Sequence, residues 1–502
     1  MQTKSIWKET TENKNSMFPI LTGKIDSDIV IIGGGITGLI TAYFLQKSGR
    51  KVSVVESFCI GDGTTGYSSC HLTTDLDFEY QNIISKHNEE TAKIVAASRT
   101  EGINIIENIV QEYNIECDFR RLKGYYYTEV ENEIENLKKE AQSASIVGLD
   151  VSLTDNVPLP FKTLKAIIFE NQAEFNSQKF IIGLSKILKE GNVQIYENSR
   201  VINIIENEDY CVVGTAEGRI NAQHVVLATH LPLLFNVLQT MAAPYRSYMV
   251  TAKLNNDQYP DGLFWDTTDP YFYTKTYISN GEKWLVVGGL DHKTGDKIDT
   301  EGNYVELENY VKERYDVHSF EHKWSSQYYE PVDGLPYIGK NPFSKMTYVA
   351  TGFSGDGLVY GVIAAQIISD LINGIENKFQ KVFDSTRFTP IASVKEFIKE
   401  NAEVFSHFIK DRFTIEKEHF KDLLPGEGKI LEKEGEKVAA ARDINNELYV
   451  LSPVCPHLKC FVQWNNGEKT WDCPCHGSRF NIKGEVLYGP AVKDLERKTY
   501  DE

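Results

Sequence analysis

The chain has 502 residues, 41% hydrophobic and 25% charged, which at roughly 100–200 residues per domain makes about two to four globular domains. Its net charge of −18 excludes nucleic acid and anionic membrane surfaces as natural partners. No run of about 18 uncharged apolar residues appears, and the first residues have no apolar core of signal-peptide length, so no integral membrane segment and a cytoplasmic location are expected.

Residues 1–25 are polar and read as an irregular N-terminal extension. Asp28–Ile32 is a short apolar run, the mark of a buried strand. A glycine cluster and a helical pattern, Ile36–Lys47, follow. A second strand, Val52–Val55, ends at Glu56. This is a βαβ unit. Residues 81–145 read as helical, interrupted by a strand at Gly124–Tyr127. Residues 193–230 suggest further strands, ending in Val225–Ala228. Residues 245–295, rich in Tyr, Trp and Val, favour an antiparallel sheet. Met346–Ile372 reads as strand, glycine turn and helix, with Asn373-Gly374 as its stop. Residues 386–425 read as a helical linker, and from 426 the chain turns to short strands and Cys/His pairs.

Gly33-Gly-Gly35-Ile-Thr-Gly38 fits G-x-G-x-x-G. Alone the pattern is weak. Here it follows a strand, opens a helix and precedes an acid, Glu56, at the end of the next strand, which is the context of a dinucleotide site. Gly33 allows the tight turn, Gly35 a close approach of the pyrophosphate, and Gly38 close packing of helix on strand. The helix N-terminus favours the anion, and Glu56 can accept from ribose hydroxyls. A ligand-free glycine turn is the alternative.

The continuation distinguishes FAD from NAD. Gly61-Asp-Gly63-Thr-Thr-Gly66-Tyr-Ser-Ser69-Cys-His-Leu-Thr73 resembles the second glycine and hydroxyl segment of the FAD-dependent D-amino-acid oxidase-like family, which includes glycine and sarcosine oxidases. Asp333-Gly-Leu-Pro336-Tyr-Ile-Gly339 resembles its late D-G-x-P-x-I-G element, and Thr351-Gly-Phe353-Ser-Gly355-Asp-Gly357 its final flavin-contacting turn. The resemblance covers residues 25–385. It implies noncovalent FAD held by Gly33, Gly35, Ile36, Thr37, Gly38, Glu56, Thr64, Thr65, Ser69, His71, Val201, Thr229, Gly352, Phe353, Gly355, Gly357 and Leu358. A helix starting near Leu358 would aim its N-terminus at the flavin and stabilise negative charge there.

The C-terminal region holds four of the eight cysteines: Cys455-Pro-His457-Leu-Lys-Cys460, then Cys473-Pro-Cys475-His476-Gly-Ser478. In a cytosolic chain such clustering points to metal. The pattern resembles the Rieske motif, which implies a 2Fe–2S cluster on Cys455, His457, Cys473 and His476. Mononuclear zinc on the same set is the alternative, although each half here pairs one Cys with one His. By the same resemblance, Cys460 and Cys475 occupy the positions of the disulfide found in high-potential Rieske proteins, two free thiols being the alternative. Ser478 matches a donor to a bridging sulfide. Phe480 stands where that family has a tyrosine donor, so the potential is expected below the respiratory proteins, within roughly −150 to +300 mV. Lys459 replaces a small residue and reads either as a docking charge beside an exposed histidine edge or as a solvated lysine.

The architecture expected is an α/β FAD-binding Rossmann-like domain with an α+β antiparallel-sheet substrate domain, plus a C-terminal all-β Rieske domain. The boundaries are 26–80, 160–235 and 326–385 for the discontinuous FAD domain, 81–159 and 236–325 for the substrate domain, 386–425 for the linker and 426–502 for the Rieske domain.

The substrate is less legible. Where some amino-acid oxidases of the family place a carboxylate-binding arginine, this chain has Gln327-Tyr-Tyr-Glu330. Arg120, Arg121 and Arg246 read as surface or structural. Tyr125, Tyr127, Tyr248, Tyr271 and Tyr273 line an amine pocket or pack the core. His71 and His292 read as hydrogen-bonded structural histidines. No catalytic residue is assigned. Three readings stay open: oxidation of a small amine or amino-acid-like substrate with electrons leaving through the cluster to an unidentified acceptor; a flavin oxidase using oxygen with a structural or regulatory Rieske domain; and an electron-transfer or redox-sensing protein.

Overall fold

The computed structural model describes residues 2–11, 17–296, 299–387 and 420–500. One sheet runs, in spatial order, Tyr337–Lys340, Thr347–Thr351, Gly218–Leu227, Gly23–Ile32, Val52–Val55 and Gln194–Tyr196. The four pairings from Thr347–Thr351 to Gln194–Tyr196 are parallel. Parallel strands are covered on both faces, which explains the unbroken apolar run Ile29–Ile32, all of it buried. Helix Ile36–Lys47 packs against helix Gly357–Asn373. The second helix stops at Gly374 in the left-handed region, φ +69°, the conformation glycine adopts most easily. By length and composition the segment Ser354–Asn373 passes for a membrane span, although Asp356 and Asp370 interrupt its apolar residues. It is instead a core helix, with 67% of its apolar window buried inside the protein.

The second sheet is largely antiparallel, in the order Gln2–Thr3, Val317–Pro331, Ala242–Leu254, Glu282–Lys293, Phe272–Ser279, Leu263–Asp266, Arg120–Thr128, Lys165–Glu174, His71–Leu72. Three expected boundaries shift here. Lys165–Glu174, inside the 160–235 span assigned to the FAD domain, pairs with Arg120–Thr128. His71–Leu72 joins the same sheet. Val317–Pro331 continues past residue 325 in register with Ala242–Leu254. Short apolar runs suit either sheet, and only the distant partner strand decides membership.

The N-terminal extension is not an irregular lead-in. Gln2–Thr3 adds a parallel strand beside Val317–Pro331. Helix Ile6–Glu9 buries Ile6 and Trp7 completely. Trp7 packs edge-on against Tyr277 and Trp324 and donates from Nε1 to the Ser68 carbonyl at 2.7 Å.

The Asp333 of the D-G-x-P element is fully buried and takes a bidentate pair from Arg387, Nε to Oδ2 at 2.9 Å and Nη2 to Oδ1 at 2.8 Å. Arg387 holds its carboxyl below the usual range against the opposing effect of burial. Replacing Arg387 with alanine strands that charge, and a loss of about 3–5 kcal/mol in unfolding free energy is expected by chemical denaturation.

The C-terminal part has a three-stranded sheet (Gly428–Lys433, Glu436–Arg442, Leu448–Leu451) and a four-stranded one (Gln463–Asn465, Thr470–Asp472, Arg479–Asn481, Val486–Tyr488). Every pairing in both is antiparallel. The expected helical linker lies mostly outside the described residues. Of its span, Phe420–Asp422 forms a 3-10 turn. The C-terminal part is tied to the antiparallel sheet by buried charges. Glu468 accepts from Arg246 Nη2 at 3.2 Å and from Arg479 Nη2 at 3.0 Å, and Arg479 Nε also pairs with Asp472 at 3.0 Å.

Candidate functional site

A cavity of about 610 Å³ opens where the two large sheets meet the C-terminal part. Its glycine end follows from the βαβ unit. Gly33 sits at φ +112°, and a Cβ there would collide with the Ala228 carbonyl. Gly35 caps the helix with no side-chain hydrogen bond, and a Cβ there would meet only the Thr65 hydroxyl, at 3.0 Å. Close backbone approach at a helix N-terminus, where Thr65 Oγ1 accepts from the Ile36 N–H at 3.1 Å, fits a pyrophosphate. Glu56 reaches the cavity while accepting from Gly34 N–H at 2.7 Å and Phe58 N–H at 2.9 Å.

Of the residues expected to hold FAD, Gly33, Gly35, Ile36, Thr37, Glu56, Thr64, Thr65, Ser69, His71, Val201, Thr229, Phe353, Gly355, Gly357 and Leu358 all line this one cavity. Gly38 and Gly352 do not. Gly38 lies against the Gly33 carbonyl, where a Cβ would clash, which is the packing role expected of it. Gly352 turns the chain at φ +74°. The helix after it starts at Gly357, and the Gly355 N–H is already taken by Asp77 Oδ2 at 2.7 Å.

Other lining residues carried no signal in the sequence. Lys8 arrives from the N-terminal extension and pairs with Asp62 at 2.7 Å. His230 hydrogen-bonds Thr64 at 3.2 Å, and burial pushes its imidazole down to about 4. Leu487, Tyr488, Gly489 and Val492 form a wall from the C-terminal part, and the Tyr488 hydroxyl sits 2.8 Å from Thr64 Oγ1. Of the tyrosines, Tyr271 and Tyr273 line the cavity, whereas Tyr125, Tyr127 and Tyr248 are packed in apolar clusters. His292 is structural, held by Tyr248 and the Lys293 carbonyl. His71 is not: it lines the cavity with Nε2 buried and unpartnered. Arg120 pairs with Glu174 and Asp261, Arg121 with Glu107, and Arg246 with Glu468, so none of these binds in the cavity.

The second site lies at the tips of two loops. Cys455 and Cys473 are buried, and their thiols hydrogen-bond each other, which lowers Cys455 and raises Cys473. The rings of His457 and His476 stand 5.1 Å apart at 90°. Burial holds both imidazoles below their usual range, in the neutral form that ligates metal. His457 Nε2 sits 3.1 Å from the Leu234 carbonyl, a bond that leaves Nδ1 unprotonated toward the site. His476 Nδ1 is buried with no protein partner. Two buried thiols beside two neutral imidazoles fit a two-histidine, two-cysteine iron–sulfur cluster. Cys460 and Cys475 form a disulfide with Cα atoms 6.5 Å apart. Both sulfurs lie within 4.8 Å of Cys473 Sγ, so the bridge clamps the two loops beside the ligands. Closing a loop of 15 residues is worth about 3 kcal/mol. The Cys460→Ala/Cys475→Ala double variant is expected to lose that amount, read by denaturant titration of the cluster's visible absorption.

His476 is buried, and His457 is half-buried with its Nε2 edge turned to the Leu234 carbonyl. The His476 loop faces the rest of the chain. Tyr329 donates to the His476 carbonyl at 3.3 Å, and Gln327 Nε2 to the Gly477 carbonyl at 2.9 Å. Tyr329 packs edge-on to His230, 4.7 Å between centroids. Lys459 itself is exposed.

A dinucleotide cavity joined to a two-cysteine, two-histidine site defines a flavo-iron–sulfur oxidoreductase. The chain belongs to the FAD dependent oxidoreductase (DAO) family, whose model matches residues 28–371, and residues 415–499 match the Rieske [2Fe-2S] domain. FAD and a 2Fe–2S cluster are therefore its cofactors. It is 32% identical, over 99% of this chain and 97% of the relative, to the Rieske 2Fe-2S iron-sulfur protein YhfW of Bacillus subtilis. It is 22% identical to the gamma-glutamylputrescine oxidoreductase of Escherichia coli, over 75% of this chain and 90% of that one. Among solved structures, glycine oxidase from Geobacillus kaustophilus superposes with a TM-score of 0.61 at 18% identity, covering 72% of this chain and 99% of its own.

Proposed function

We propose that the protein is an amine dehydrogenase whose electrons leave through its own Rieske domain. When bound, FAD supplies a hydride acceptor for the C–H bond beside an amine nitrogen, and the cluster a one-electron exit toward an external one-electron acceptor. The observation that carries this reading is the shared wall. Tyr329 and Gln327 hold the His476 loop on the same strand whose residues Gln327 and Tyr328 line the cavity. Within one chain, Tyr329, His230 and Thr64 form a contiguous packed path from the cluster loop to the cavity. The glycine cradle with Glu56, Thr64 and Thr65 would hold the nucleotide, and the Phe353–Leu358 turn and His71 would flank the flavin ring. Tyr488 of the C-terminal part lines the cavity and would hold Thr64 in place through its hydroxyl. A cytoplasmic location and a cluster potential below the respiratory proteins belong to the same reading.

Anaerobic mixing of the fully loaded protein with a panel of amines and amino acids tests it. Flavin bleaching followed by a Rieske-type EPR signal is the expected sequence. Bleaching with an oxidised cluster, and reoxidation by oxygen alone, would replace this reading with that of an oxidase carrying a structural domain.

A further inference from the structure

The antiparallel sheet and the loop after Leu72 give the cavity an acidic wall. Asp75, Asp77 and Asp291 all face it. Asp291 accepts from the Tyr328 hydroxyl at 2.9 Å and also hydrogen-bonds Ser247, and among the described residues no cation pairs with it. Asp75 is 9% exposed, and its Oδ1 is unpartnered. Among the described residues, every lysine and arginine lining the cavity is already engaged by a protein partner. Arg99 is ion-paired with Asp356, Lys8 with Asp62 and Arg479 with Asp472, and Arg200 donates to the Val486 carbonyl at 2.9 Å. Gln327, at the position where some amino-acid oxidases of the family place a carboxylate-binding arginine, is bonded to Gly477 and Tyr329. A substrate carboxylate would meet three acids and no free cation. An ammonium group would supply the cation that Asp291 lacks and a partner for the unpartnered Asp75 oxygen.

We infer that this wall selects an amine carrying a second, non-reacting ammonium group and no carboxylate, with Asp291 as the residue that holds the distal cation. This rests on the amine-oxidation reading above. The second nitrogen is needed because an amine gives up hydride from its neutral form, so the reacting nitrogen brings no lasting charge to the wall. Burial supports the assignment: it pushes the Asp291 carboxyl up to about 7 and raises Asp75 well above the usual range, as expected for acids lacking a counter-cation. Tyr271, which reaches Asp77 Oδ1 at 3.4 Å, and Tyr273 add ring faces that suit an alkylammonium chain.

Calorimetric titration of the cofactor-loaded full chain with 1,4-diaminobutane, n-butylamine and glycine is the test. The diamine is expected to bind about tenfold or more tightly than butylamine, with no heat from glycine. Asp291→Asn is expected to abolish that preference while flavin absorption and the cluster EPR signal stay unchanged. Tyr328→Phe, which keeps the charge, is expected to retain it. Equal binding of butylamine or glycine, or an Asp291→Asn protein with the preference intact, overturns the inference. Anaerobic flavin bleaching run in parallel separates the two claims. Bleaching by glycine and not by the diamine ends this inference and leaves amine oxidation standing. Tight, Asp291-dependent diamine binding without bleaching by any amine ends the dehydrogenase reading and leaves the cation site standing.

Discussion

The Cys473→Ser protein is expected to hold FAD and no iron–sulfur cluster. Cys473 is 2% exposed, lies against Cys455 Sγ and is framed by its own loop, with its N–H bonded to the Ser478 carbonyl and its carbonyl accepting from Gly477 N–H. A serine oxygen is a poor substitute for the soft thiolate that iron–sulfur chemistry requires, and the rigid loop cannot bring in another ligand. Cys460 and Cys475 are joined to each other and do not offer a free thiol. Cys473 does not line the flavin cavity, so flavin content should be unchanged. Iron and acid-labile sulfide analysis together with EPR read the outcome. A protein that kept both irons and a Rieske signal would refute the ligand set.

Gly38→Ala is expected to empty the flavin site without touching the cluster. A Cβ on Gly38 points at the Gly33 carbonyl oxygen. Both groups are backbone, so neither can swing away. The helix must lift from the strand, displacing Gly33 and Gly35, which line the cavity. Overpacking of this kind costs about 1–3 kcal/mol or more, and about 1.4 kcal/mol of it directed at the bound state is a tenfold loss of affinity. Gly49→Ala is the matched control. Gly49 has open space around its Cβ position and φ +81°, so it carries only local strain of about 1–2 kcal/mol. Flavin retained after dialysis distinguishes them. Full flavin in the Gly38→Ala protein would mean that close helix–strand packing does not build the site.

The parts of the molecule legible in the sequence are those whose chemistry is local. The helix read at Ile36–Lys47, the strand at Val52–Val55 and the stop at Asn373-Gly374 are present at those residues. The reason is that periodicity, glycine conformation and chain neighbours decide them. The cluster ligands were legible for a similar reason. Two short loops carry Cys and His at fixed spacing, and a metal centre tolerates few other arrangements. Where the same local signal fits two environments, the sequence reading went astray. The apolar run Ala166–Phe169 inside Lys165–Glu174 suits either sheet, and the strand joined the antiparallel one because Arg120–Thr128 was the available partner.

What the sequence alone determined, then, is the class: a flavin domain and a Rieske domain, each announced by residues close together in the chain. What only the tertiary structure decided is how the two are joined and what the cavity accepts. Thr64 meets Tyr488 across 424 positions of chain, and Gln327 meets Gly477 across 150. Asp77 and Asp291 reach one cavity from a loop and from a strand far apart. No periodicity encodes such meetings. They arise when packing two sheets and a small β domain around one cavity brings remote side chains together.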